Sequence, residues 1–271
     1  HAVAAVLGAA FHDRDEGGHA LVKDAIICLG NSITDTIPGG DVYTTINQTE
    51  RKTDIHYQLN GTAEQTIALN SDITANLNVS SASWFWQDSI GYIVIPKTTL
   101  ATSIVLKAKV TTGNWANLDE RNKANYNTTV SVNVFQLSIN HGVPGAGKDD
   151  SYRYLVLPSV SKADLINFYN QKVLSADSNS LYINYNNAEV ISVSYDGYTA
   201  AFFTQKKNVK ASKLGADSLS ISADKPVVLL IKRKPSGLHF NVSDLDNTFT
   251  TVNEIAIGVN RALKSASFNP T

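Results

Sequence analysis

The chain has 271 residues, of which 43% are hydrophobic and 17% charged, and its net charge is −1. A chain of this length buries roughly 75% of its unfolded surface, so it can fold without covalent staples. Near-neutrality supplies no field to draw in nucleic acid or an anionic membrane. The lone Cys28 excludes an internal disulfide, and with it a small disulfide scaffold, while leaving secretion open.

The opening HAVAAVLGAA is short and apolar but lacks a basic leader, so it does not read as a signal peptide. No apolar run reaches the ~18 residues that span a bilayer. The chain has no methionine, even at position 1, which points to a processed or internal segment. From there the dominant signal is alternation with β-branched and aromatic residues, the mark of half-buried antiparallel strands. Strands are predicted at 25–29, 42–47, 90–95, 103–110, 129–139 and 152–157, then at 180–185, 189–195, 200–205, 219–223, 227–232 and 238–242. Asn60-Gly61, Asp196-Gly197, Asp224-Lys225-Pro226 and Pro235-Ser236-Gly237 supply the turns between them. One amphipathic helix is predicted over Lys162–Gln171, with Leu165, Ile166 and Tyr169 on one face and Ser161 as its cap. The fold class is therefore all-β: a large antiparallel super-sandwich with one short helix. Residues 1–236 form the sandwich domain, and a further strand group starting at 237 begins a C-terminal β-unit over 237–271.

Several short signals point to particular chemistries. CLGNSITD (Cys28–Asp35) is similar to the first block of Gly-Asp-Ser-type esterases, with Ser32 as nucleophile. Asn31 stands where that block has Asp, no Asp-x-x-His follows near the C-terminus, and the alternating strands and helices of that fold are missing. GVPGAGK (Gly142–Lys148) has phosphate-loop spacing, but Asp149 replaces the magnesium-binding hydroxyl and a strand follows instead of a helix. His12, Asp13, Asp15, Glu16 and His19 crowd one stretch that reads as solvated, so no metal or other cofactor is expected. The lysines at 206, 207 and 210, and Lys232, Arg233 and Lys234, read as solvated faces that could meet an anionic ligand locally. Trp84 reads as core. Trp115 lies in a loop and is suited to stacking on a sugar, and His141 reads as a structural turn histidine, or as one that protonates near neutral pH and meets an anionic group. Five Asn-x-Ser/Thr sequons occur, at Asn47, Asn60, Asn78, Asn127 and Asn241.

Four passages lie in register across the first 160 residues: KDAIICLGNSI (Lys23–Ile33), VYTTINQ (Val42–Gln48), SWFWQDSIGYIV (Ser83–Val94) with GNWANLDERN (Gly113–Asn122), and His141–Pro158 with its Tyr152-x-Tyr154 pattern. Together the chain resembles the β-sandwich part of the family 8 polysaccharide lyases, secreted enzymes that cleave chondroitin, hyaluronan and similar acidic polysaccharides. The resemblance implies β-elimination, with most of the catalytic machinery on an N-terminal helical toroid for which this sequence shows no helical array. It also implies that the Glu-Gly pair in HDRDEGGHA places Glu16 as a catalytic residue supporting the Arg and Tyr of the site across the cleft. The chain is accordingly expected to form one wall of the substrate cleft, with Trp115 and His141 binding substrate and the helical toroid as partner. The alternative is a non-catalytic carbohydrate-binding module.

Overall fold

The computed structural model describes residues 3–7, 25–34, 39–97, 101–117, 121, 128–143, 150–205, 209–216, 219–244 and 256–260. The chain divides into two compact units, His1–Tyr169 and Asn170–Thr271. In the first lie β1 (Val3–Leu7), β2 (Ile26–Ile33), β3 (Tyr43–Glu50), β4 (Ile55–Gln58), β5 (Gln65–Ile67), β6 (Ile73–Val79), β7 (Ser83–Gln87), β8 (Ile90–Val94), β9 (Thr102–Asn114), β10 (Thr129–Asn140) and β11 (Asp150–Leu157), followed by α1 (Lys162–Phe168). Among the described residues these strands form a seven-stranded sheet, β1-β2-β11-β8-β7-β4-β5, and a four-stranded sheet, β3-β10-β9-β6, with every pairing antiparallel.

The two sheets face each other across one apolar core. Phe85 of β7 and Tyr92 and Val94 of β8 meet Leu106 of β9 and Phe135 and Leu137 of β10. Alternation explains why these residues point inward: in β10, Phe135, Leu137 and Ile139 are buried while Val134 and Gln136 face away and are only half-buried. The Tyr92 hydroxyl accepts from Asn47 Nδ2, so a polar tip inside the core is matched. Packing also fixes a glycine: a Cβ on Gly30 would stand 2.3 Å from Cε1 of the Tyr152 ring, which lies across it from β11.

The opposite face of the seven-stranded sheet is buried too, through Leu29, Trp84, Ile93 and Leu155, and α1 covers part of it. A Cβ on Gly91 would stand 2.6 Å from Leu165 Cδ1. Ser161 caps α1 as expected, its hydroxyl accepting from the Asp164 N–H at 3.1 Å. The α-helix ends at Phe168, and a single π turn, Tyr169–Val173, continues it.

The second unit holds β12 (Tyr182–Asn186), β13 (Val190–Tyr195), β14 (Tyr198–Phe203), β15 (Val209–Leu214), β16 (Leu219–Ala223), β17 (Val227–Lys234), β18 (Gly237–Asp244) and β19 (Ile257–Val259). Five of these make the sheet β12-β13-β14-β17-β18 and three make β15-β16-β19, with Phe203, Leu229, Ile231, Leu219 and Ile221 between them. The residues from Gly237, expected to open a new unit, pair along β17 from Lys234↔Gly237 to Val227↔Asp244. The expected boundary at 236/237 thus falls in the two-residue turn of a hairpin. The opening HAVAAVLGAA contains β1, which pairs with β2 from Val3↔Asn31 to Leu7↔Ile27.

Candidate functional site

β9 and β10 are the longest strands of the first unit, and they outrun their neighbours. Pairing with β3 stops at Glu50↔Val134, and pairing with β6 stops at Ile73↔Ala108. Lys109–Asn114 and Thr129–Asn133 therefore continue as a two-stranded ribbon with Val110, Val130 and Val132 exposed. At its far end Trp115 opens a one-turn 3-10 helix, Trp115–Asn117. Asn114 Oδ1 accepts the Ala116 N–H at 2.8 Å and Ala116 is buried, which pins the turn while leaving Trp115 60% exposed. A ring held in the open on a fixed turn can stack on the apolar face of a sugar.

His141 lies beyond the opposite end of the same hairpin, just after Asn140↔Ser103. From Ser103 to Asn114 there are eleven residue steps along β9; at about 3.4 Å per residue this separates the two ends by up to about 37 Å. The structure does not bring Trp115 and His141 together. The His141 side chain is 0% exposed. Its Nδ1 lies 2.9 Å from Asp150 Oδ2 and its Nε2 lies 2.8 Å from Thr44 Oγ1. Lys97 Nζ stands 4.0 Å from Asp150 Oδ1, which also accepts the Ser151 N–H at 2.7 Å. With Nδ1–H donating to the carboxylate, Nε2 accepts from the threonine hydroxyl, and both ring nitrogens are occupied. Because Asp150 opens β11 and Thr44 lies in β3, the imidazole ties the two sheets together at the mouth of the Gly142–Asp149 connection. Sequence reasoning named His141 but not Thr44, Lys97 or Asp150 as its partners. Thr44 is 97 residues away in the chain, and no local pattern announces it.

Glu16 and the His12–His19 cluster lie outside the described residues. Trp84 is buried, as its sequence context suggested, with its indole N–H donating to Gln58 Oε1 at 2.9 Å. Ser32 sits at an irregularity in the β2–β11 pairing with φ of 56°, its hydroxyl donating to Asn31 Oδ1 at 3.0 Å. The antiparallel sheets around it are not the strand–helix alternation that a Gly-Asp-Ser esterase needs. Among the described residues, each tyrosine whose pKa departs from the ordinary value is moved upward. Burial does this at Tyr92, Tyr152 and Tyr169, and it brings Tyr195 to about 12. At Tyr154 burial comes first, followed by a hydrogen bond with Cys28. These phenols are held protonated at neutral pH, the wrong state for a base.

A model of the family described as polysaccharide lyase family 8, super-sandwich domain, matches residues 18–169. Chondroitinase-AC of Pedobacter heparinus is 31% identical over 212 residues, which are 76% of this chain and 26% of that enzyme. The chain thus spans about a quarter of the length of the curated relative it matches. A solved chondroitinase AC lyase, studied in enzyme–oligosaccharide complexes, superposes with a TM-score of 0.62 at 22% identity, covering 87% of this chain and 32% of that one. Xanthan lyase of Paenibacillus gives the same TM-score of 0.62 at 17% identity over 82% of this chain and 20% of that one. Both likenesses establish the shared antiparallel sandwich fold. The family match holds the inward-facing strands β2 to β11 and the hairpin that carries Trp115 and His141 at its two ends, and it takes in more than half of the chain, which therefore belongs to polysaccharide lyase family 8.

Proposed function

We propose that this chain is the sandwich part of a secreted polysaccharide lyase that cleaves uronic-acid-containing polysaccharide, of the chondroitin or hyaluronan kind, and that it forms one wall of the substrate cleft. The match to Chondroitinase-AC carries the reading, because residues making up 76% of this chain correspond to only 26% of that enzyme. In β-elimination a base takes the proton at C5 of the uronate, the electron pair becomes the C4–C5 double bond, and the C4–O bond breaks. The departing oxygen then receives a proton from an acid. The step needs a group that neutralises the carboxylate, a Tyr or His base and acid, and a supporting Arg.

Because the matched residues make up only 26% of Chondroitinase-AC, the reading puts the base elsewhere, on a helical toroid domain that partners this sandwich. Trp115 then stacks on the sugar from the tip of its ribbon, and Glu16 supports the Arg and Tyr of the site across the cleft. His141 serves the wall from beneath the surface by fixing the strand ends beside the Gly142–Asp149 connection.

The test is an ultraviolet assay for unsaturated uronate on chondroitin, hyaluronan and alginate. The folded chain by itself is expected to be silent, and product from it would overturn the placement of the base outside these residues. Glu16→Ala, introduced where this sandwich is joined to its helical domain, is expected to abolish turnover with binding retained. Unchanged turnover would leave this chain as a carbohydrate binder.

A further inference from the structure

Arg51 follows directly on β3, and its backbone N–H donates to the Asn133 carbonyl at 2.6 Å. The two residues stand side by side where the ribbon leaves the sandwich, and Asn133 points to the same face as Phe135 and Leu137. Arg51 is 2% exposed. Its Nη2 donates to the carbonyls of Ala68 at 3.1 Å and Ser71 at 3.0 Å. Asn133 Nδ2 donates to the Leu69 carbonyl at 2.7 Å, which fixes the end of the amide that carries oxygen. Arg51 Nε, Arg51 Nη1 and Asn133 Oδ1 remain buried without a partner. Leaving such groups unpaired is costly, and more so where charge is involved, so a buried site of this composition calls for a ligand.

The donor set decides which ligand fits. A small anion would accept from the guanidinium but would face the lone pairs of Asn133 Oδ1. Asp54 and Asp72 also act on the Arg51 charge, and Asp54 Oδ1 is turned inward to accept the Leu69 N–H at 2.8 Å. Nε–H points away from Nη1 across the guanidinium, so one water molecule accepts from one of these donors and donates to Asn133 Oδ1, matching two of the three groups at once. We propose that Arg51 and Asn133 form a built site for an internal water molecule at the root of the ribbon. The ribbon's last sheet contact is thereby a hydrated joint. This holds whether or not Trp115 meets a sugar.

A high-resolution crystal structure of this chain, grown once in acetate and once in bromide, tests the site. The expected result is one oxygen within about 2.7–3.2 Å of Arg51 Nε or Nη1 and of Asn133 Oδ1, unchanged in bromide. An anomalous bromide peak at the guanidinium would overturn water in favour of an anion. A direct Arg51–Asn133 bond, with no density between them, would overturn the site altogether.

Discussion

The two ends of the β9–β10 hairpin are built from the same two strands and have opposite characters. At one end the strands run past their neighbours, valines face solvent, and Trp115 stands 60% exposed on a turn where Asn114 Oδ1 accepts the Ala116 N–H. At the other, β3 and β11 close in, and His141 is withdrawn from solvent with Thr44 and Asp150 on its two nitrogens. The difference teaches that aromatic and imidazole groups on one supersecondary unit need not share a task. An exposed ring on a fixed turn has surface to offer a ligand. A buried imidazole with both nitrogens occupied has none, and what it offers is order.

The largest expected effect lies at the buried end. His141→Ala empties a fully enclosed position and removes the partner of the Thr44 hydroxyl and of Asp150, at a cost of about 2–3 kcal/mol. Urea unfolding should show the midpoint falling with the slope unchanged. A variant of wild-type stability that has lost affinity for polysaccharide would invert the comparison and make His141 a contact residue. The exposed end should answer the other way. Trp115→Ala is expected to leave stability within about 0.5 kcal/mol. In calorimetric titration with hyaluronan or chondroitin it should weaken binding about tenfold, equivalent to about 1.4 kcal/mol. Equal affinity of the two proteins would remove the ribbon from the binding surface.

The sequence made the architecture legible wherever alternation was strong, as in 103–110 and 129–139, and wherever a turn carried its usual residues. Asp196-Gly197 takes positive φ at both positions and joins β13 to β14 in two residues. The β7–β8 turn has the same positive φ at Asp88 and Ser89, but without glycine or asparagine it gives no signal. The strand ITANLNV alternates cleanly, yet its solvent-facing Asn76 and Asn78 and its small Ala75 depress its β character. Pro235-Ser236-Gly237 reads as a turn and is one, closing a tight hairpin, but turn residues report a reversal of direction and say nothing about whether the strands on either side pair. The lyase-like passages all fall within 18–169, and the first compact unit ends at that same Tyr169. For the site, a loop position sufficed to mark Trp115 as accessible. The burial of His141 depends on residues brought from β3 and β11 by the sandwich itself, which no local window contains.

The smallest effect is a control placed away from both ends, on the face of the seven-stranded sheet beside α1. Glu64 Oε1 accepts from Lys162 Nζ at 2.6 Å and lies 2.9 Å from His56 Nδ1. The lysine hydrogen bond, ahead of the histidine, holds its carboxyl below the usual glutamate range. A carboxyl whose folded pKa is depressed adds stability that is complete above the unfolded value and disappears as pH falls through the folded one. Because about a third of each side chain is in solvent, screening keeps the contribution under about 1 kcal/mol. Glu64→Gln should therefore lower the urea midpoint slightly at neutral pH, and the two proteins should converge as the solution is acidified below the usual carboxylate range. A gap that persists in acid would mean that the glutamate acts by packing and not by charge. Affinity for polysaccharide should be the same in both proteins, since this pair touches neither the ribbon nor His141, and a change there would show that binding extends onto the α1 face.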